Sequence, residues 1–83
     1  MDVTIHFPPN LDVDKDVIED ALDEAIGELG EVSGGGIGEK GMTIDLDVED
    51  DADPAELVDL IRGTLKELGA PFSKIVIDGR TYR

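Results

Sequence analysis

Hydrophobic and polar positions alternate strictly over residues 2–7, DVTIHF: Val3, Ile5 and Phe7 fall on one side, Asp2, Thr4 and His6 on the other. A period of two predicts a strand with one buried face, and Pro8 and Pro9 end it because neither can donate to a ladder. From Asp12 to Leu29 the period changes: Val17, Ile18, Ala21, Leu22, Ala25, Ile26 and Leu29 recur at helical spacing and predict a broad buried stripe. Asp12, Asp14 and Asp16 suit the positive end of that helix, and Gly30 closes it. Alternation returns over 42–49, MTIDLDVE, with Ile44, Leu46 and Val48 inward and Thr43, Asp45, Asp47 and Glu49 outward. Asp53-Pro54-Ala55-Glu56 starts a second helix, Asp53 as N-cap and Pro54 at the first helical position. Leu57, Val58, Ile61, Leu65 and Leu68 form its buried stripe, and Gly69 with Pro71 stops it. Residues 73–78, SKIVID, read as a last strand, after which Gly79-Arg80 turns the tail.

With a further strand over 31–37, the order becomes β-α-β-β-α-β in one domain spanning 1–83. That order predicts an α+β, ferredoxin-like two-layer sandwich: a four-stranded antiparallel sheet with both helices on one face. Right-handed crossovers put the first and third strands in the middle, the second at an edge, and leave the other face open.

An 83-residue chain that is 40% apolar and has no Cys forms one small core without disulfides or thiolate metal sites. No basic leader flank and no apolar run near the roughly 20 residues of a membrane span are present, so a cytoplasmic protein without a membrane partner is expected.

Charge changes the picture more. The chain carries 21 acidic against 7 basic residues, net −14, which disfavours nucleic acid and anionic lipid and favours a basic protein. Acidity also serves solubility or salt adaptation, but it is unevenly spread. Residues 1–59 hold 19 acids and 2 bases, whereas residues 60–83 hold 2 acids and 5 bases. On the first helix Asp16, Glu19, Asp20, Asp23, Glu24 and Glu28 lie three or four residues apart with no base between Lys15 and Lys40, so they repel rather than pair.

Gly34, Gly35, Gly36, Gly38 and Gly41 follow a strand, but a phosphate loop must deliver its ligand to a helix N-terminus. Here another strand follows, no Lys-Ser/Thr pair closes the motif, and Glu31, Glu39 and Asp45 are neighbours. Two uses remain. The glycines supply left-handed turns and bulges, or their missing side chains let another chain approach an edge strand. Beside Asp45, Asp47 and Glu49 they would make a glycine-floored, acid-walled shelf.

Other chemistry is poorly served. Counting an EF-hand from Asp45 puts Asp50 where Gly is required and Glu56 at the bidentate position, so half the pattern fails. His6, the one histidine, shares the open side with Asp45 and Asp47 on a neighbouring strand, a set that suits a divalent ion or a simple pairing. Ser33 and Ser73 have a single His between them, and paired carboxylates on an open sheet lack a pocket. An acylphosphatase has an Arg after its first strand where this chain has PPNLDVD; RNA-recognition domains need aromatic and basic middle strands, and metal chaperones need CxxC. No enzyme and no cofactor are expected.

Small size, strong acidity, the ferredoxin-like order and the GGG-x-G edge together resemble the immunity proteins of bacterial toxin–immunity systems. The resemblance implies a non-enzymatic inhibitor that covers the active site of a basic toxin or nuclease, as acidic nucleic-acid mimics do. The residues expected to meet that partner are Glu19, Asp20, Asp23 and Glu24 on the helix, Gly34, Gly35 and Gly36 at the edge, and Asp45, Asp47 and Glu49 on the strand. The alternative is a small ligand-sensing regulatory domain acting as a dimer, so both monomer and homodimer stand open.

Overall fold

The structure, a computed structural model, describes residues 1–9, 11–72 and 74–82. Five strands and two helices follow one another as β1 (Asp2–Phe7), α1 (Lys15–Ile26), β2 (Gly30–Gly38), β3 (Gly41–Val48), α2 (Pro54–Leu68), β4 (Lys74–Ile77) and β5 (Arg80–Tyr82). The strands form one sheet in the order β2-β3-β1-β4-β5, and every neighbouring pair is antiparallel. β1 and β3 are interior and β2 is an edge, as the crossover rule requires.

Alternation builds the core. Val3, Ile5 and Phe7 of β1, Met42, Ile44, Leu46 and Val48 of β3, and Ile75 and Ile77 of β4 are buried in one cluster with Ile18, Leu22 and Ile26 of α1 and Leu57, Val58, Ile61 and Leu65 of α2. Both helices therefore lie against the same side of the sheet. The intervening strand residues, Thr4, His6, Thr43, Asp45, Lys74 and Val76, remain part-exposed on the other side.

Four expectations are corrected. The sheet has five strands, not four: Asp78 and Gly79 take φ of 47° and 85°, a tight turn that folds Arg80–Tyr82 back against β4. The first helix is shorter than 12–29. Gly27 caps it at φ 53°, and Gly27–Leu29 continue as a single 3₁₀ turn, so Leu29 is 37% exposed. Val17, assigned to the buried stripe, is 46% exposed, and Ile18, Leu22 and Ile26 alone carry the buried face. β3 ends at Val48, so Glu49 lies just past the strand, its N–H donating to the Leu29 carbonyl at 2.8 Å. Ser73, the expected start of the last strand, lies outside the described residues.

The second helix forms as its signals dictate. The Asp53 carboxylate accepts from the Ala55 N–H at 2.9 Å, Pro54 opens the helix, and Gly69 closes it in the left-handed region at φ 68°. The helix layer is shorter than the edge it covers. Twelve residues of α1 span about 18 Å, whereas nine of β2 span about 30 Å. The far end of the β2–β3 ribbon thus outruns the helix, and Ile37 is 77% exposed there although it pairs with buried Met42. No helix among the described residues is long and apolar enough to cross a membrane.

Candidate protein-interaction surface

Strand register arranges the uncovered face as rows running across the sheet. At one end Glu31 of β2 stands opposite Asp47 of β3, and Asp47 stands opposite Asp2 of β1. Asp78, at the turn after β4, extends the row: the Asp2 N–H donates to Asp78 Oδ1 at 2.8 Å and the Asp78 N–H to the Asp2 carbonyl at 2.9 Å. All four side chains are exposed. At roughly 4.8 Å between strands, the row is about 15 Å long.

The middle row holds Gly34, Asp45, Thr4, Val76 and Thr81. Asp45 is half-buried, and its Oδ1 accepts from Thr4 Oγ1 at 2.8 Å. At the other end stand Gly36, Thr43, His6 and Lys74. The face is therefore graded, from acidic at the first row to basic at the last.

The Met1 α-amino group sits beside the acid row, donating to Asp50 Oδ1 at 2.6 Å and to the Val48 carbonyl. The hydrogen bond it donates to Asp50 chiefly raises its pKa above the ordinary value, with the charges of Asp50, Asp78 and Asp47 adding. The same pairing holds the Asp50 carboxyl below the usual carboxylate range. Glu28, Glu31, Asp47, Glu49 and Asp50 surround Met1 in a shallow hollow of about 440 Å³.

The expected partner-binding residues do not form one surface. Asp45 and Asp47 lie on the uncovered side of the sheet, with Glu49 just past the strand end. Glu19, Asp20, Asp23 and Glu24 belong to α1 in the helix layer. Glu19 is also paired with Lys15 at 3.1 Å, with both side chains part-buried. The glycines divide as well. A Cβ on Gly35 would meet the Thr43 carbonyl oxygen at 2.3 Å, and Gly35 has φ 148°, so the fold itself demands glycine there. Gly34 and Gly36 face the open side with room to spare: the nearest atom to a Cβ on Gly34 is Asp45 Oδ2 at 4.0 Å, and nothing lies within 4 Å of one on Gly36. The β2 strand bulges at Ser33, which shifts these glycines onto the open face.

His6 is not flanked by carboxylates. Its cross-strand partners are Thr43 and Lys74, and Asp45 is one row away, engaged by Thr4. Among the described residues no group of His, Cys, Asp and Glu is arranged to hold a metal ion. The residues that reading the strands separately misses are Glu31, Asp2 and Asp78. Alternation already places Asp2 on the open side, but only the register shows that it meets Asp47. Geometry alone grounds the functional reading, because no family model, curated protein or solved structure matches this chain.

Proposed function

We propose that this chain is a non-enzymatic acidic binding protein that inhibits a basic partner protein, through the acidic end of its uncovered sheet face. The observation that carries the reading is the row Glu31, Asp47, Asp2 and Asp78. Like charges directly opposite one another on neighbouring strands destabilise a sheet, and none of these residues packs into the core. A row retained at that cost is suited to lysine and arginine side chains brought by another protein. Gly34 and Gly36 leave the approach from the β2 edge free of side chains toward Asp45. The exposed acids of α1 then make a second, separate acidic surface on the helix layer that steers the partner at long range without sharing its footprint.

In this reading the fold is a ferredoxin-like sandwich extended by β5 as an added edge strand, and the partner is a toxin or nuclease of the toxin–immunity kind. The test uses the protein encoded beside this gene, titrated over the immobilised chain by surface plasmon resonance at several salt concentrations. The expected result is association that slows steeply with salt, and an affinity loss of at least about tenfold in the double variant Glu31→Lys, Asp47→Lys. A neighbour that does not bind overturns the immunity reading. Binding that ignores both salt and the double reversal overturns the role of the row.

A further inference from the structure

The opposite end of the same face gathers basic side chains. His6, Thr43, Lys74 and Lys40 line one open hollow of about 570 Å³, with the edges of Phe7 and Met42 adding apolar wall. The chain has 7 Lys and Arg residues and one His against 21 acids, yet that His and two of the lysines converge here from β1, β4 and the β2–β3 turn. The register makes the meeting obligatory for two of them, because His6 pairs with Lys74 on one side and with Thr43 on the other. Side chains so paired have Cβ atoms about 5 Å apart.

We infer that this hollow binds the phosphoryl group of a small organic phosphate. A lysine beside the histidine, with a second lysine above, leaves positive potential that an anion neutralises, and Glu39 is the one acid in the lining. The acid row does not cancel it. Asp2 is four residues from His6 along β1, about 13 Å in an extended strand, which exceeds the screening length of about 8 Å at physiological salt. Asp45 is nearer, two residues or about 7 Å from Thr43 along β3, and weakens the potential in part, but it does not line the hollow and its Oδ1 is engaged by Thr4.

The make-up of the donor set favours phosphoryl over carboxylate. The donors are two ammonium groups, an imidazole N–H and the Thr43 hydroxyl, carried on three strands and a turn. Separate donors of this kind match the three free oxygens of a tetrahedral group better than the two coplanar oxygens of a carboxylate, and lysine binds phosphate as a point charge. The hollow has the size of a small-ligand site, and no atom lies within 4 Å of a Cβ built on Gly38, so its rim is open to the organic portion. This site is independent of the protein-binding reading, which rests on the other end of the sheet.

The test is a titration of ¹⁵N-labelled protein with phenyl phosphate, inorganic phosphate and benzoate at constant ionic strength. Saturable amide shifts confined to His6, Lys40, Thr43 and Lys74 are expected with both phosphates, tighter for phenyl phosphate. Lys74→Gln is expected to weaken binding about tenfold, as is Lys40→Gln in the exposed turn, which leaves the sheet untouched; Lys66→Gln on α2 is expected to change nothing. Unsaturable or dispersed shifts overturn the site, as does equal binding by Lys74→Gln and Lys40→Gln. Benzoate binding as tightly as phenyl phosphate overturns the phosphoryl assignment. Reversal of Glu31 and Asp47 leaves these shifts in place, so the two proposals fail separately.

Discussion

Replacing Asp47 by Asn is expected to make the protein more stable, against the usual direction of a substitution in a strand. Asp47 stands opposite Glu31 on one side and Asp2 on the other, and it is exposed, so the substitution removes charge without opening a cavity. Two carboxylates about 6 Å apart repel by about 0.7 kcal/mol in a solvent-like dielectric. Ions at physiological strength cut that roughly in half. Two such pairs give a gain of at most about 0.7 kcal/mol, worth up to roughly 3–5 °C in the melting temperature of a domain this small, because Asp47 also attracts the Met1 ammonium and that attraction is lost with the charge. Thermal and urea unfolding at low and at high salt read it directly. The gain should be largest at low salt and vanish near 1 M, where the screening length is about 3 Å. Asp45→Ala is the contrasting variant. It strips the acceptor from Thr4 Oγ1 and is expected to lose about 1 kcal/mol. An Asp47→Asn protein no more stable than wild type at low salt, or a gain indifferent to salt, would show that these carboxylates do not feel one another and would remove the cost on which the functional reading depends.

Gly35→Ala is expected to lose about 2 kcal/mol or more, since its Cβ would sit 2.3 Å from the Thr43 carbonyl oxygen in a positive-φ backbone. Gly36→Ala, with open space around it, should stay within about 0.5 kcal/mol of wild type; urea midpoints of the two variants separate the outcomes. Asp53→Ala removes the acceptor for the Ala55 N–H and should cost about 1 kcal/mol, visible as earlier loss of helical circular dichroism. The Met1–Asp50 pair gives a pH window. The α-amino pKa is raised above 8.0, so its contribution is complete below that value and lost as pH climbs through the raised one. The Asp50 pKa is lowered below 3.8, so its contribution is present above that value and lost as pH falls through the lowered one. The stability deficit of Asp50→Asn should therefore be greatest between those limits and close toward both extremes, as denaturant unfolding at acid, neutral and alkaline pH would show.

Most of the fold was legible because it follows from periodicity. Val3, Ile5 and Phe7, and later Ile44, Leu46 and Val48, alternate without exception, and α2 carries a cap, a Pro and a Gly in the right places. The misses have local causes. β5 is three residues long, too short to show a period, although Asp78-Gly79 after an apolar run is itself a hairpin signal. Helical spacing ran on to Leu29 because it is blind to Gly27, whose backbone leaves the helix first. The surface was harder to read. Alternation says which side Asp2, Asp45 and His6 face, but not which residue stands beside which, and that adjacency separates an acid row from a His–Lys hollow.

Adjacency is also where fold and charge part company. The core fixes the register, because slipping β3 past β1 by one residue would turn Ile44 and Leu46 out and Asp45 and Asp47 in. Nothing in that requirement specifies what occupies the outward positions: threonine, lysine or serine at 2, 31 and 47 would leave the same apolar contacts. The hydrophobic pattern thus accounts for where the outward residues meet and leaves open why acids meet acids at one end and His6 meets Lys74 at the other. Scattered solubilising charge gives no reason for that sorting, and the N-terminal ammonium, bound to Asp50 and near the charges of Asp47 and Asp78, offsets it only in part. A graded face on the one uncovered layer is what the two proposed sites, with opposite charge preference, would use.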